Sequence, residues 1–193
     1  GNNDRVIMFD PVSYGKLLDM GNHLPSRQYY FAEGLTWSKI ASELSVRYSP
    51  KGFVFSSVGL KGFPTKENAK YILAFMNSKV CRYFVKVISP GMSIVSGDIE
   101  KLPFIHVSDD RIDELCSENI EITRTDWDSF EYSWDFKRHP LVPLAKELME
   151  QQDSQFSASR MEKFGLISWH YSQWESACKE RFSKLKENEE ELN

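Results

Sequence analysis

The chain has 193 residues, 41% hydrophobic and 13% aromatic, and a net charge of −4. That length holds one large or two small domains with a real core, and no apolar run reaches the ~18–20 residues of a membrane span. Residues 1–108 carry 13 Lys/Arg against 8 Asp/Glu and residues 109–193 carry 11 against 20, nets of +5 and −9; this predicts a basic front and an acidic back with different partners.

The start, GNNDRVIMFD, is polar, lacks an initiating Met and shows no signal-peptide pattern, and it reads as a boundary within a larger protein. RQYYFAEGLTWSKI predicts a strand and a turn. LSVRYSPKGFVFSSVG alternates through Val46, Tyr48, Phe53 and Phe55 around Pro50-Lys51-Gly52, which predicts a hairpin or strand pair. Thr65 after Pro64 is the expected N-cap of the next helix. Its apolar positions recur as Ile72, Phe75 or Met76, Lys79 or Val80, Tyr83 or Phe84, and Val87. Asn77-Ser78 interrupts that period, and a second helix can start there. GMSIV reads as a short strand. In SGDIEKLPF, Asp98 is expected to cap a turn over Ile99–Leu102 that Pro103 ends.

The back half reads as helical. SDDRIDELCSENIE predicts a short capped helix. TRTDWDSFEYSWDF places Trp127, Phe130 and Trp134 on one face of a second helix, with Thr125 as its cap. RHPLVPLAKELMEQQ predicts another helix after Pro140, and residues 159–192 a long amphipathic one. Tyr171, Trp174, Cys178, Leu185 and Leu192 form its seam, interrupted by Arg181 and Asn188; two such helices can pair as an antiparallel hairpin.

Chemistry-bearing patterns are scarce. Cys81, Cys116 and Cys178 are odd in number and far apart, which suits free thiols in a reducing cytoplasm. His23, His106, His139 and His170 have no metal-ligand spacing, so no metal site is expected. No phosphate-cradling glycine loop, nucleophile elbow or CxxC pair is present. The acidic pairs Asp109-Asp110 and Asp126/Asp128 are expected at helix N-termini. No catalytic or cofactor-binding residue is assigned. The positive signal is in the front half, where Arg27, Lys39, Arg47, Lys51, Lys61 and Lys66 fall at strand ends and turns among Tyr29, Tyr30, Trp37 and Tyr48. Cations for phosphate together with side chains that reach base edges are what nucleic-acid binding needs.

Several blocks carry a resemblance: YYFAEGLTWSKI, SVRYSPKGFVF, YILAFMNSKV and GDIEKLPF, then TDWDSFEYSWDFKRHPL and ACKERFSKLKENEEELN. In this order they resemble the C-terminal specificity region of the PglX family, the adenine-specific DNA methyltransferases of BREX phage-defence systems. GNND resembles the start of that region, so the likeness covers most of the chain. Residues 10–26, DPVSYGKLLDMGNHLPS, depart from the pattern, where the family has a longer insert. The Asn-Pro-Pro-Tyr motif for the target adenine and the glycine-rich S-adenosylmethionine loop are absent, and in this family they lie N-terminal to residue 1.

The resemblance implies an α+β fold. A small mixed α/β target-recognition domain, 1–108, precedes a helical spacer or interaction region, 109–193, with a long amphipathic C-terminal helix. It implies that Ile72, Phe75, Tyr83, Phe84, Ile99, Leu102 and Pro103 are scaffold core. Readout then falls to Arg27–Trp37 and Arg47–Phe63, with Arg27, Lys39, Arg47, Tyr48, Lys51, Lys61 and Lys66 as DNA-binding residues. The expected partner is double-stranded DNA, with other phage-defence proteins besides and no membrane. S-adenosylmethionine is expected in the parent enzyme and not in this fragment. The competing expectation is a protein-interaction module that docks defence-system subunits or a phage inhibitor through the aromatic and terminal helices.

Overall fold

The computed structural model describes residues 5–21, 26–105, 107, 109–142 and 167–193. The chain divides into two compact units, residues 1–116 with 192–193, and residues 117–191. The first is α+β. Helix α1 (Pro11–Asp19) is followed by a 3-10 turn at Arg27–Tyr29 and strands β1 (Gly34–Ser38), β2 (Val46–Ser49) and β3 (Gly59–Gly62). Helices α2 (Ala69–Asn77), α3 (Lys79–Ile88) and the single turn α4 (Ser96–Ile99) complete it. Helix α5 (Asp110–Trp127) crosses into the second unit, which also holds the long helix α6 (Ile167–Glu191).

Helix α1 stands in the segment 10–26, where no element was expected. Its signal is local. The Asp10 carboxylate accepts from the backbone N–H groups of Val12 (3.0 Å) and Ser13 (3.2 Å), and Pro11 occupies the first helical position.

The sheet is antiparallel in the order β2-β1-β3. β1 pairs Leu35 with Tyr48 and Trp37 with Val46 on one side, and Leu35 with Gly62 and Trp37 with Leu60 on the other. Directly opposed residues share a sheet face, so Leu35, Trp37, Val46 and Leu60 stand together. Leu35, Trp37 and Val46 are buried, as are Leu73 and Met76 of the neighbouring α2. Each such side chain contributes about 1.5–3 kcal/mol on full burial. Trp37 is a core residue, and its indole N–H donates to the Ile94 carbonyl at 3.3 Å.

The expected hairpin around Pro50-Lys51-Gly52 forms differently. The turn is there, with Gly52 at φ +99°, but β2 pairs with β1, and Phe53 and Phe55 lie outside any strand. Phe55 packs instead against Tyr30 (5.2 Å between centroids) and Phe63 (5.5 Å). GMSIV contributes only an isolated bridge, Ser93 to Ile40.

Thr65 does not cap α2. Its carbonyl accepts from Asn68 N–H in a preceding turn, and the helix begins at Ala69. The break at Asn77-Ser78 is as expected: Ser78 caps α3, its hydroxyl accepting from Cys81 N–H at 3.1 Å. Because the break resets the helical phase, the buried positions are Leu73, Met76, Cys81 and Val85. Ile72, Phe75, Phe84, Ile99 and Leu102 are only half-buried, and Tyr83 and Pro103 are exposed, so these last two are not core. The turn after α3 starts three residues early, at Ser96. Asp98 sits inside α4 and accepts from Val95 N–H at 3.1 Å. The chain beyond it returns to α2, where Tyr71 hydroxyl donates to Ile105 carbonyl (2.9 Å) and Phe104 packs on Tyr71 and Phe75.

Two expected helices of the back half are one. Asp109 caps α5 through Arg111 N–H (2.9 Å), and nothing in 110–127 breaks it. Thr125, Asp126 and Trp127 form its last turn, so Thr125 is no cap and Asp126 and Asp128 lie at a C-terminus. Arg124 offsets Asp128 at 3.5 Å. Trp127, Phe130 and Trp134 therefore share no helix face; Tyr132 stacks on Phe130 in a chain of turns. In the second unit the seam residue Asn188 is buried, and its amide donates to Glu118 (2.8 Å) and Asn119 (2.9 Å). The expected helix after Pro140 and the first part of the long terminal helix lie outside the described residues.

Candidate nucleic-acid interface

The face of the sheet opposite the core carries a cross-strand row. Thr36 of β1 is opposed by Arg47 of β2 and by Lys61 of β3. Arg47 and Lys61 thus flank one threonine, two strand spacings apart, roughly 9–10 Å between backbones. Arg47 is exposed and, among the described residues, makes no side-chain hydrogen bond or ion pair. Thr36 hydroxyl donates to the Leu60 carbonyl at 2.7 Å, which ties β1 to β3.

Lys61 is partly engaged. Its ammonium donates to the Ala32 carbonyl at 2.6 Å and stands 5.8 Å from the Phe63 ring centroid. Burial pushes its pKa below the ordinary lysine range, and the nearby Glu33 carboxylate opposes that shift. The row is held close by Gly34. A Cβ there would meet the Gly62 carbonyl oxygen at 2.4 Å and Lys61 Cε at 3.2 Å.

Lys51 stands at the exposed tip of the turn that follows β2. The next residue, Gly52, donates its N–H to the Phe31 carbonyl at 3.0 Å. Phe31 itself has φ +65°, uncommon for a bulky side chain. Tyr48 and Lys66 converge on Glu33: the Tyr48 hydroxyl donates to Oε2 at 3.1 Å, and Lys66 Nζ lies 3.9 Å from Oε1. That exposed ion pair is worth about 0–1 kcal/mol, so Lys66 remains available to a phosphate.

The other two expected residues stand apart from the row. Lys39 follows β1 at the end away from Lys51; it is half-buried, and its backbone bonds to Val58 and Ile94. Arg27 belongs to a ring cluster, where its guanidinium donates to the Tyr14 hydroxyl and lies 5.5 Å from that ring centroid. The cluster runs from Tyr14 through Phe9, Tyr30 and Phe55 to Phe63, which Tyr29 stacks on at 4.6 Å. Sequence reasoning brought out Tyr29, Tyr30 and Tyr48 but missed Glu33, Phe9, Tyr14 and Phe31. The crowded rings of YYF and FVF were a signal for the cluster. A carboxylate shared between β2 and the loop after β3, and a left-handed phenylalanine, have no sequence mark.

Among the described residues no group of three or more His, Cys, Asp or Glu is placed to hold a metal ion, and no helix is long and apolar enough to cross a membrane.

No protein-family model matches the chain. A stretch of 174 residues, 89% of this chain, is 33% identical to the adenine-specific methyltransferase PglX of Lacticaseibacillus casei (strain Zhang), of which it covers 13%. A stretch of 146 residues, 74% of this chain, is 34% identical to the adenine-specific methyltransferase BrxX of Escherichia coli O9:H4 (strain HS), of which it covers 12%. The chain is a homologue of a segment of the PglX and BrxX adenine-specific methyltransferases, spanning 12–13% of their length.

Proposed function

We propose that residues 1–116 recognise duplex DNA for an adenine-specific methyltransferase of a BREX phage-defence system, and that the methyl transfer itself belongs to the rest of a longer protein. The observation that carries this reading is the row Arg47–Thr36–Lys61, with Lys51 exposed in the turn that follows β2. Lys51 and Lys66 bind phosphates and set the register, while Arg47 reaches a guanine edge or an adjoining phosphate. Tyr48 and Glu33 hold the rim in place.

S-adenosylmethionine is the methyl donor of the parent. The described residues do not fit it. None of β1–β3 runs through a glycine-rich turn into a helix N-terminus of the kind that holds such a cofactor. No step is therefore assigned to this chain beyond binding and positioning DNA. The protein works in the cytoplasm, where the DNA is. The acidic helical region, 117–191, acts as a spacer or a docking face, since its charge disfavours lying along phosphate.

A second reading, a protein-interaction module, rests on α3. Val80, Tyr83 and Val87 recur there at intervals of three and four and are 53%, 68% and 66% exposed. The test that separates the two is duplex binding over a range of salt. For DNA recognition, Arg47→Ala with Lys51→Ala reduces the salt slope by about 2 and weakens binding to all sequences. For the interaction reading, the same pair changes nothing, and Tyr83→Ser removes partner capture.

A further inference from the structure

Side chains alternate along a strand, so the burial of Leu35 and Trp37 sends Gly34, Thr36 and Ser38 to the other face of β1. The register brings Arg47 of β2 and Lys61 of β3 opposite Thr36, and Gly59 opposite Ser38. None of the strand residues on this face is acidic. Arg47 and Lys61 are its two long side chains, and they differ. The Lys61 ammonium is bent back onto the Ala32 carbonyl at 2.6 Å, where the missing side chain of Gly34 leaves room for its Cε. Arg47 is exposed and untethered among the described residues, and its neighbours Thr36, Ser38 and Gly59 are too short to screen it.

Arg47 and Thr36, directly opposed, have fixed and opposite hydrogen-bonding character. A guanidinium only donates, through N–H groups set in a planar fork. Thr36 spends its hydroxyl proton on the Leu60 carbonyl at 2.7 Å, so its oxygen is left to accept. Donors beside an acceptor are the complement of one base-pair edge. In the major groove guanine offers N7 and O6 as acceptors, and its cytosine partner offers an amino donor. On adenine the position of O6 holds an amino group, whose hydrogens oppose those of the fork. A phosphate would satisfy the charge of Arg47 but has no use for an acceptor at its side. Lys51, exposed in the turn after β2, has the place and the chemistry of a phosphate contact.

We propose that Arg47 is a specificity-determining residue of this chain: it reads one guanine of the recognised DNA site through O6 and N7, with the Thr36 oxygen toward the paired cytosine. The proposal rests on the DNA reading of the sheet face. It adds to that reading a required G·C pair, distinct from the adenine that the parent enzyme methylates. The charge of Arg47 strengthens binding to any duplex, because a cation near phosphates releases their counterions. Only the fork separates guanine from the other bases, and lysine keeps the charge without the fork.

The test selects short duplexes with randomised centres on the full chain and sequences what is retained. The native chain is expected to enrich a site in which guanine is preferred about 5- to 150-fold at one position, the range of one bidentate base contact. Arg47→Lys should remove that preference while the rest of the site and the salt dependence persist. Lys51→Ala should weaken binding to all duplexes and leave the preference intact. At the same position of the enriched site, 7-deazaguanine keeps the base pair and lacks N7. It should weaken binding by the native chain about tenfold and leave binding by Arg47→Lys unchanged. A guanine preference that survives Arg47→Lys, or a loss that is equal for all sequences, assigns Arg47 to a phosphate; either overturns the proposal and leaves the DNA interface standing. If 7-deazaguanine has no effect at any guanine of the enriched site, the proposal fails whatever the variants do. Equal retention of all sequences by the native chain overturns it too, and retention of no duplex overturns the interface as well.

Discussion

At Gly34 the backbones of β1 and β3 approach so closely that a methyl group would sit 2.4 Å from the Gly62 carbonyl oxygen. The strand must move to admit it, and Lys61 Cε, 3.2 Å from the same point, must move with it. Gly34→Ala is expected to lower stability by about 1–3 kcal/mol, as overpacking does, measured by urea unfolding. The cysteines make a second residue-scale prediction. Cys81 and Cys116 are buried, and burial pushes both thiols up from 9.0 to about 11. The thiolate is the reactive form. Iodoacetamide at pH 8 should therefore modify Cys178, which is half-buried, before the other two, as read by peptide mass spectrometry. Equal rates at all three would contradict the placement of Cys81 and Cys116. The folded chain keeps these thiols protonated where the unfolded chain ionises, so their stabilisation is full below about pH 9 and is lost as pH rises toward 11. Urea midpoints at pH 8 and pH 10.5 should fall in that order.

At the scale of elements, Asn77 joins helix to sheet. Its side-chain amide accepts from Val46 N–H and donates to Val46 carbonyl, both at 3.0 Å, and also donates to Leu73 carbonyl at 2.9 Å. The amide thus extends the hydrogen bonding of β2 at its outer edge, as another strand would. Arg82 adds two donors to the Asn77 carbonyl, at 3.2 and 2.8 Å. Asn77→Ala leaves both Val46 groups unmet and should cost roughly 1–3 kcal/mol by denaturant unfolding; a loss no larger than that of Lys79→Ala, an exposed neighbour, would contradict the role. The sequence revealed the break at Asn77-Ser78, because an amide and a hydroxyl there disrupt an apolar period. It did not reveal the clamp, whose partner is 31 residues away. The same limit explains the hairpin. Alternation in 46–55 marked extended chain, but Phe55 packs on Tyr30 and Phe63 outside the ladder, while residues 59–62 join it. A capping pattern at Thr125 fits the final turn of one helix as well as the first turn of another, so the sequence does not distinguish the single helix α5 from two.

Across the whole molecule, the basic and acidic halves were legible from charge alone, and strands in the front half with helices behind them from periodicity. Of the expected binding residues, the sheet brings Arg47 and Lys61 into one row across Thr36, while Arg27 and Lys39 lie off it, because residue type and turn position do not fix which residues a sheet sets side by side. The compact unit ends after Cys116, eight residues beyond the expected boundary region, and Leu115 and Cys116 are buried in it. A graft should therefore carry residues 1–116. On the proposed function, this unit chooses the DNA site. The direct measurement transfers residues 1–116 into a PglX-type relative with a different known site, then reads adenine methylation by single-molecule sequencing. A new, defined methylated motif is expected, weakened throughout when Arg47→Ala and Lys51→Ala are included but not when Lys184→Ala and Lys186→Ala are. Methylation that persists at the relative's original site would contradict it.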